Sequence, residues 1–454
     1  MKRILSLALL ITTITTATTL GQSVQKITLQ DAIQISLENN YLLKQAENNL
    51  ALADESIRSE YADFLPSLNS SASYSRQTGR QFVQETLTFD DVTSQSINGS
   101  VSTNLTIFNG FENIISLRQS QIAQTSAEDR LQREKETVIF NTATRFLQVL
   151  LDTQLLENAQ ENLSYSERQL EQIQAQVEVG SRPQVDLFNQ EATVANNELT
   201  VTQNENTLVL SRLNLIRQLQ IDPLGDYEFV VPEIGDEQAS SANPSAYSLE
   251  ELIDEALATR ADYRTAEANI KNFELQLQLS KTRLIPTVGA NASISSGYSD
   301  QYSLFGESVS FNDQFFDQRI NRTYGLSLSI PIFQNWDRMY NIESSKVNLK
   351  NAELGLDDTR LGIIQEVTQA FTTYSAYVKA YEASTKARVA SEKAFETEQE
   401  RYNVGASTLV ELTQAQANFV QAQSNYTRDL YNLVFQEKLL DFYLGKLSGE
   451  TVEF

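Results

Sequence analysis

The side chains that could do chemistry are few in this 454-residue sequence. It contains no Cys and no His, which excludes disulfides, thiol nucleophiles, the usual zinc sites and His-based acid–base catalysis. Adjacent acids such as Asp357 and Asp358 have no candidate base beside them, as is typical of a solvated helix face. We therefore predict that the protein is not an enzyme and has no catalytic residue, cofactor or metal site.

Two acidic residues occupy the same place in a phrase that occurs twice. The first copy, VGSRPQVDL, starts at Val179 and contains Asp186. The second copy, VGASTLVEL, starts 225 residues later at Val404 and contains Glu411. The dipole of a helix favours a carboxylate in its first turn, and Thr408 and Glu411 have the spacing of a capping box. Helix capping is therefore the simplest role for both acids.

Each phrase predicts a tight reversal between two helices. Gly180 and Gly405 suit the left-handed position that follows a helix. Ser181 in the first copy, and Ser407 or Thr408 in the second, can cap the helix that comes next. The chain is thus expected to turn back on itself at both places.

Helical stretches of unusual length flank the two turns. Residues 112–179 contain neither Pro nor Gly, and at 1.5 Å per residue a helix over this range would extend for about 100 Å. Residues 335–403 are predicted to form its counterpart, with return helices over 183–220 and 408–446. Apolar residues before the first turn recur at alternating spacings of three and four, which is typical of a coiled-coil seam.

The chain also consists of two related halves. Three further motifs recur in the same order: TLQDAI as SLEELI, LPS as IPT, and IFN as IFQ. Such self-similarity indicates an internal duplication. After a segment 1–21 we predict a first repeat over 22–221, a linker over 222–246, a second repeat over 247–447 and a tail over 448–454. Each repeat is expected to contain a helix (30–62 or 250–284), a β-hairpin (67–108 or 286–333), the long helix and the return helix.

The hairpin regions alternate with a period of two. Val101, Thr103 and Leu105 alternate with small polar residues, and so do apolar residues in 288–294 and 326–332. This pattern predicts four strands with one apolar and one small polar face, joined by polar loops over about 78–97 and 298–322. A soluble sandwich shows the same alternation, but four short strands could not bury both a sandwich core and the helices.

The strands also bear on how the chain could meet a membrane. After the N-terminus no run of about 18 apolar residues appears, so only a closed β-barrel could cross a bilayer. Four strands are too few for closure. Three chains would supply twelve strands, although counting alone leaves two or four chains open. Aromatic residues at the strand–helix junctions fit either a lipid boundary or ordinary packing: Phe108, Phe111, Phe333 and Trp336.

The N-terminus and the charge limit where the protein acts. Residues 1–21 carry two cations, an apolar run and then small and hydroxyl residues, which is typical of a secretory signal peptide. A membrane anchor is the weaker alternative because the apolar run is short. The formal net charge of −24 excludes nucleic acid as a partner.

Taken together, these motifs resemble the TolC-like outer membrane efflux proteins. The resemblance covers nearly the whole chain after the signal peptide, from TLQDAI through LPS, IFNGF and the two Val-Gly turns to Gly445. It implies a mainly α-helical fold with a transmembrane β-barrel portion. In this fold a homotrimer places a twelve-stranded barrel in outer-membrane lipid and a long helical tunnel in the periplasm. It further implies a passive exit duct that a periplasmic adaptor protein and an inner-membrane transporter serve.

The resemblance assigns the two turns to the periplasmic mouth of that tunnel. Glu411 matches an acidic position of the mouth, and threefold symmetry would make it a ring of three carboxylates that attracts cations. Asp186 matches a position that helps to hold the mouth shut, and Tyr402 matches a gating tyrosine. The ring and the helix cap both remain open as roles for Glu411.

Two positions depart from the pattern of the family. Gln414 is neutral where a second acidic ring can occur, and Ser407 replaces an arginine that can participate in the gate. Arg182 is the basic residue expected to bridge neighbouring turns. The whole predicted gate comprises Val179, Gly180, Arg182, Asp186, Tyr402, Val404, Gly405, Ser407, Glu411 and Gln414.

A second class of function is a structural or adhesive coiled-coil protein on the cell surface, without transport. Such a protein needs no strands with an apolar face, no aromatic strand–helix junctions and no duplicated polar turn. The sequence therefore favours the exit duct.

Overall fold

The computed structural model describes residues 25–83, 87–230, 247–304 and 307–448. The predicted signal peptide, most of the predicted linker and nearly all of the predicted tail lie outside these residues. The first half contains β1 (Gln25–Ile27), α1 (Leu29–Asn39), α2 (Tyr41–Ala62), β2 (Ser67–Val83), β3 (Thr88–Phe108), α3 (Glu112–Glu178), α4 (Gln184–Leu219) and β4 (Tyr227–Phe229). The second half contains α5 (Leu249–Thr259), α6 (Ala261–Thr282), β5 (Thr287–Ser299), β6 (Ser303–Leu304), β7 (Glu307–Ser308), α7 (Phe311–Asp313), a π-helical turn (Gln314–Gln318), β8 (Asn321–Ser329), α8 (Asp337–Asn403) and α9 (Leu409–Tyr443).

Two long helices dominate the molecule. The helices α3 and α8 have 67 residues each, so at 1.5 Å per residue both are about 100 Å long. The return helix α4 packs along α3, and α9 packs along α8. Helix α2 packs on α3, while α6 packs on both long helices. The prediction of a mainly helical fold with four principal strands is confirmed. No helix in the described ranges is both long and apolar enough to span a membrane.

The predictions of a single helix over 30–62 and over 250–284 are wrong, because each range contains two helices. The first is interrupted at Asn40, whose side-chain oxygen accepts the backbone N–H groups of Leu42 (2.9 Å) and Leu43 (3.2 Å) and so starts α2. The second is interrupted at Arg260, which has extended backbone angles and binds Asp262 in the first turn of α6. Neither break contains the Gly or Pro that would have signalled it.

Four strands form one antiparallel sheet in the order β2-β3-β5-β8. The polar loop predicted over 78–97 is wrong, because β2 continues to Val83 and β3 begins at Thr88. Hydroxyl groups pair across these strands: Ser75 with Ser96 at 2.7 Å, and Thr78 with Thr93 at 3.1 Å. Cross-strand hydroxyl pairs can stabilise a hairpin whose sequence shows no apolar alternation.

The other hairpin also differs from the prediction. The strand expected to continue to residue 333 ends at Ser329, since Pro331 has no N–H to donate to a ladder. Ile332 beyond it is 92% exposed. The loop predicted over 298–322 contains β6, β7 and α7.

The sheet has two chemically different faces, because successive side chains alternate across it. Where all four strands are paired, one face carries mostly apolar residues: Leu68, Val101, Leu105, Ala290, Ala292, Ile294, Tyr324, Leu326 and Leu328. The other face carries only uncharged small polar residues and glycine in that register: Ser67, Asn69, Ser71, Ser100, Ser102, Asn104, Thr106, Gly289, Asn291, Ser293, Ser295, Asn321, Thr323, Gly325 and Ser327.

The largest apolar core lies midway along the helices. Strands β1 and β4 pair in parallel there, with Ile27 opposite Phe229. Phe146 of α3, Leu215 of α4 and Phe435 of α9 are buried in the same cluster. This core joins the two halves, while the remaining length of each hairpin is held by narrow apolar stripes.

Candidate functional site

The two helix reversals lie side by side at one end of the molecule. A small apolar cluster joins them, with Ile173 before the first turn and Tyr402, Leu409 and Leu412 around the second. All four of these side chains are buried. The predicted gate residues of both halves therefore come together within a single chain.

Both turns have the same backbone geometry. Gly180 and Gly405 have φ angles of 75° and 76°, in the left-handed region that favours glycine. In the first turn the N–H of Gly180 bonds to the carbonyl of Val177 (2.9 Å), and the N–H of Ser181 bonds to that of Gln176 (2.9 Å). The second turn repeats both bonds. This double closure is the Schellman motif, and it satisfies carbonyl groups at the helix end.

The start of the next helix differs between the two copies. Thr408 and Glu411 form the predicted capping box at the start of α9. The prediction that Ser181 caps α4 is wrong, because its hydroxyl donates backwards to the carbonyl of Gln176 at 2.8 Å. Pro183 occupies the N-cap position instead, with no side-chain hydrogen bond.

Glu411 accepts three hydrogen bonds and remains exposed. Its Oε2 atom accepts the backbone N–H of Thr408 (2.9 Å), the Thr408 hydroxyl (3.0 Å) and the Ser407 hydroxyl (3.1 Å). These bonds, led by the Thr408 backbone N–H, lower the pKa of Glu411. The side chain is thus an ionised helix cap whose charge faces solvent in the single chain.

Arg182 connects the first turn to the second. Its Nε atom donates to Oε1 of Gln176 at 2.9 Å, and its Nη1 atom lies 3.5 Å from Oδ2 of Asp186. Its guanidinium carbon lies 4.1 Å from the centroid of the Tyr402 ring, which is cation–π geometry. Within the single chain, Arg182 thus bridges the two turns by packing its guanidinium on the Tyr402 ring.

Tyr402 is 4% exposed, and its hydroxyl has no hydrogen-bond partner among the described residues. Burial raises the pKa of Tyr402; Arg182 opposes this shift, and Asp186 adds to it. The ring therefore interacts through its face rather than through its hydroxyl.

The second turn has a cation that the sequence analysis missed. Nη1 of Arg401 lies 2.8 Å from Oε2 of Glu398, and its Nη2 donates to the carbonyl of Ala406 at 3.2 Å. The single hydroxyl proton of Ser407 is shared between Glu398 and Glu411. The available signal was a basic residue in the last turn of a helix, where the dipole favours a positive charge.

The remaining gate residues are exposed. Val179 and Val404 are 79% and 80% exposed at the tips of the turns. Gln414 lies one turn into α9 and donates to Oδ1 of Asn418 at 3.1 Å. Both turns thus present apolar tips beside charged or polar side chains.

The junction aromatics lie at the opposite ends of the long helices. Phe111 and Trp336 are the N-cap residues of α3 and α8, with φ angles of 71° and 68°. Phe108 and Phe111 meet edge to face at 5.3 Å. Phe333 and Trp336 are 77% and 74% exposed. The structure therefore groups the predicted girdle residues at the strand–helix junctions, far from the turns.

A groove between the two hairpins is a further candidate that the sequence analysis missed. It has a volume of about 340 Å³ and lies between α3, α8 and α9. Tyr165, Phe395 and Phe419 provide apolar surface, while Arg388 and Glu392 provide charge. Among the described residues there is no cluster of acidic side chains that could hold a metal ion.

Comparisons with known proteins agree with the two halves. The model of the family described as outer membrane efflux protein matches residues 32–219 and 252–446. The outer membrane protein TolC of Escherichia coli is 23% identical over 421 residues, which cover 92% of this chain and 82% of that protein. The outer membrane efflux protein BepC of Brucella suis is 19% identical, covering 95% and 88%.

Solved structures show the same fold. CusC superposes with a TM-score of 0.78 at 15% identity, covering 92% of each chain. The outer membrane protein VceC of Vibrio cholerae superposes with a TM-score of 0.76 at 15% identity, covering 92% of this chain and 96% of that one.

Proposed function

The chain belongs to the outer membrane efflux protein family, and we propose that three copies form an exit duct through the outer membrane and the periplasm of a Gram-negative bacterium. Substrates would pass through this duct passively, after delivery by other proteins. The fold supports the proposal because one end offers a sheet and the other end offers paired helix turns, about 100 Å apart along the helices.

The observation that carries this proposal is the unfinished sheet. Strands β2 and β8 each have one neighbour in the described sheet, so each leaves one edge unpaired. The two edge strands run in opposite directions. The β8 edge of one copy can therefore pair antiparallel with the β2 edge of the next, and three copies close a twelve-stranded barrel without free edges.

The faces of the sheet support the same assembly. Closure with the apolar face outward puts these side chains against lipid and lines the lumen with hydroxyl, amide and glycine groups. Phe108, Phe111, Phe333 and Trp336 then mark the periplasmic boundary of the lipid. In the surface-spike alternative, an uncovered apolar face of this kind would have no use.

In the duct, the turns of three chains meet at the periplasmic mouth. We propose that the contact between Arg182 and Tyr402 keeps the mouth closed, with Asp186 binding the guanidinium from the other side. Glu411 adds three carboxylates to the mouth, where ionised side chains in a narrow opening attract cations. Gln414 leaves the next helical turn neutral.

Two partners are part of this proposal. A periplasmic adaptor would bind along the helical hairpins, and the groove lined by Tyr165, Phe395 and Phe419 offers it mixed apolar and charged surface. An inner-membrane transporter would then supply the substrate and the energy. Choice of cargo belongs to that transporter, because the duct contributes a passage.

Three measurements on the full chain test this function. The protein should fractionate with outer membranes, migrate as a heat-modifiable trimer and conduct ions in planar lipid bilayers. A cell-surface spike would instead give no conductance under any salt condition. Absence of channels together with a monomeric state would refute the exit-duct proposal.

A further inference from the structure

The loop between β5 and β8 folds back onto the apolar face of the sheet. A Cβ atom placed on Gly99 would lie 2.9 Å from Cζ of Phe315. Gly99 of β3 points to the same face as Ile97 and Val101, because side chains alternate along a strand. The Phe315 ring therefore covers the apolar face, in a space that exists only because residue 99 is glycine.

Phe315 belongs to an aromatic cluster on that face. Its ring stacks on Phe311 with centroids 5.2 Å apart and meets Phe316 at 5.2 Å. Phe311 also meets Tyr298 of β5 at 5.3 Å. Phe311 and Phe316 are 39% and 64% exposed. The cluster thus combines rings packed on the sheet with rings that face outward.

One buried side chain holds the loop in this position. Gln314 is fully buried, and its Oε1 accepts the N–H of Ser299 at 3.0 Å. Its Nε2 donates to the carbonyls of Ser299 (3.0 Å) and Val309 (2.8 Å). Strand β8 pairs with β5 only as far as Ser295. At Ser299 the Gln314 side chain therefore makes the backbone hydrogen bonds that a neighbouring strand would otherwise make. The Ser296 hydroxyl adds a bond to the carbonyl of Phe315.

The cluster also marks the point where the face changes character. Toward the helices the face continues with Val101 and Leu105, whereas beyond the cluster the same positions of β3 are Gln95, Thr93 and Asp91. The apolar part of the sheet therefore ends at the level of the aromatic rings.

The length of the apolar part fits a bilayer. Nine residues separate Gly99 from Phe108 in β3, which is about 30 Å of strand at roughly 3.3 Å per residue. A barrel tilt of 35–45° reduces the height to about 21–25 Å, close to the apolar band of about 25 Å in outer-membrane barrels. Phe108 and Trp336 bound one side of this band, and the loop cluster bounds the other.

We propose that Tyr298, Phe311, Phe315 and Phe316 form an anchor that binds the outer lipid–water interface. This inference rests on the proposed function, since it needs the sheet to lie in a membrane. Tyrosine prefers the interface because its ring is amphipathic, and aromatic residues in general flank the apolar band of outer-membrane barrels. Arg322, at the outer end of β8, can extend its guanidinium to lipid headgroups from the same face.

The proposal also places a part of the chain outside the bilayer. The outer parts of β2 and β3, residues 76–83 and 88–95, lie beyond the cluster. At its tip Phe82 and Phe89 meet at 5.3 Å and are 53% and 62% exposed. This second aromatic pair should be surrounded by water, so it serves as a matched control.

Single-tryptophan variants test the anchor, because Trp336 is the only tryptophan in the chain. The unchanged chain reports on Trp336. In a Trp336→Phe background, Phe316→Trp reports on the cluster and Phe82→Trp on the hairpin tip. Each protein is reconstituted into phosphatidylcholine vesicles with bromines either near the headgroup or deep in the acyl chain, and conductance of the same preparations is recorded.

We expect Phe316→Trp and native Trp336 to lose most of their fluorescence with shallow bromines and less with deep bromines, while Phe82→Trp keeps its fluorescence. Quenching of Trp336 in conducting vesicles without quenching of Phe316→Trp would overturn the anchor and leave the duct intact. Quenching of Phe82→Trp as strongly as Phe316→Trp would also overturn it. Vesicles with neither conductance nor quenching at any position would refute the proposed function itself.

Discussion

Glu411 shows at the scale of one residue how a structural role and a transport role can be separated. Glutamine suits the same capping position, so Glu411→Gln should retain the helix start while it removes three charges from the proposed trimer. We expect unchanged trimer stability and a reduced preference for cations over anions. Reversal potentials across a KCl gradient measure this preference.

The nearby exposed residue Gln414 provides the control for that experiment. Gln414→Ala removes a polar side chain one turn away without a change of charge, and its cation preference should equal that of the native channel. If Glu411→Gln also kept the native preference, the carboxylate ring would be excluded and the helix cap would remain as the role of Glu411.

The contact between Arg182 and Tyr402 gives a second prediction at this scale. Because the Tyr402 hydroxyl has no partner among the described residues, Tyr402→Phe should keep the closed state. Tyr402→Ala and Arg182→Ala each remove the cation–π contact, and such contacts are worth about 0.5–1 kcal/mol at exposed sites and about 2 kcal/mol when desolvated. Resting conductance should rise in both alanine variants. A larger rise in Tyr402→Phe than in Arg182→Ala would contradict this arrangement.

The side-chain contacts at the turns were predictable only where the sequence spacing alone determines them. The capping box of Thr408 and Glu411 follows from spacing alone, and it is present. Ser181 meets the same composition rule, yet the Schellman closure brings its hydroxyl to the Gln176 carbonyl. The packing of Arg182 on Tyr402 joins residues 220 positions apart, so no local pattern contains it.

At the scale of the elements, Arg260 and Asn40 break equivalent helices by different means. Arg260 is 2% exposed and binds Asp262 at 3.0 Å and Glu366 at 2.7 Å. Asn40 makes only neutral capping bonds at the start of α2. The second half therefore depends on charge at the position where the first half depends on a cap.

Substitution of these two residues should reveal the difference. Arg260→Ala removes the cation that binds both Asp262 and Glu366 and should cost about 2–3 kcal/mol, below the range for fully buried pairs because the acids are partly exposed. Asn40→Ala removes a cap and should cost about 1 kcal/mol. Guanidinium unfolding of the purified protein in detergent compares the two free energies of unfolding. Equal losses would contradict the ionic role of Arg260.

The same network predicts a dependence on pH. Burial alone would raise the pKa of Asp262, but the hydrogen bonds and charge of Arg260, with the charge of Arg133, lower it overall. A lowered folded pKa stabilises the protein above the unfolded value of about 3.9, and this contribution disappears as the pH falls through the folded value. Between pH 7 and pH 3 the native protein should therefore lose more stability than Asp262→Asn. If the melting temperatures of the native protein and Asp262→Asn fell equally between pH 7 and pH 3, Asp262 would be excluded as a source of acid sensitivity.

The helices and strands were predictable where composition or periodicity held over many consecutive residues. Absence of Gly and Pro predicted α3, and the period of two predicted the inner parts of the strands. The outer parts of β2 and β3 were missed because hydroxyl pairs such as Thr78 with Thr93 resemble a polar loop in sequence. The breaks at Asn40 and Arg260 were missed because tertiary contacts, rather than helix-breaking residues, determine them.

At the scale of the whole molecule, the two faces of the sheet make the assembly testable. Ala292 and Ser293 are adjacent in the middle of β5 and point to opposite faces. In the proposed barrel, Ala292→Arg places a charge toward lipid and should cost about 2–4 kcal/mol near the bilayer midplane in each chain. Ser293→Arg places the same charge in the lumen.

These two variants should therefore have opposite consequences. Ala292→Arg should reduce the amount of trimer in the outer membrane, whereas Ser293→Arg should assemble normally and shift ion preference toward anions. Quantitative blotting of membrane fractions and reversal potentials provide the readouts. If Ala292→Arg assembled normally and Ser293→Arg were lost from the outer membrane, the sheet would be inverted relative to the proposed barrel.

The uncharged polar face of the sheet has a consequence for how solutes move. Its serine, asparagine, threonine and glycine residues offer a passing molecule hydrogen bonds of the same kind as those of water. In the proposed duct, a solute that exchanges one set of hydrogen bonds for the other would change little in free energy. The strands would then create neither strong binding sites nor high energy barriers along the path. Residence time in the strand-lined segment would then depend on molecular size and diffusion, and chemically unrelated cargoes could leave at similar rates.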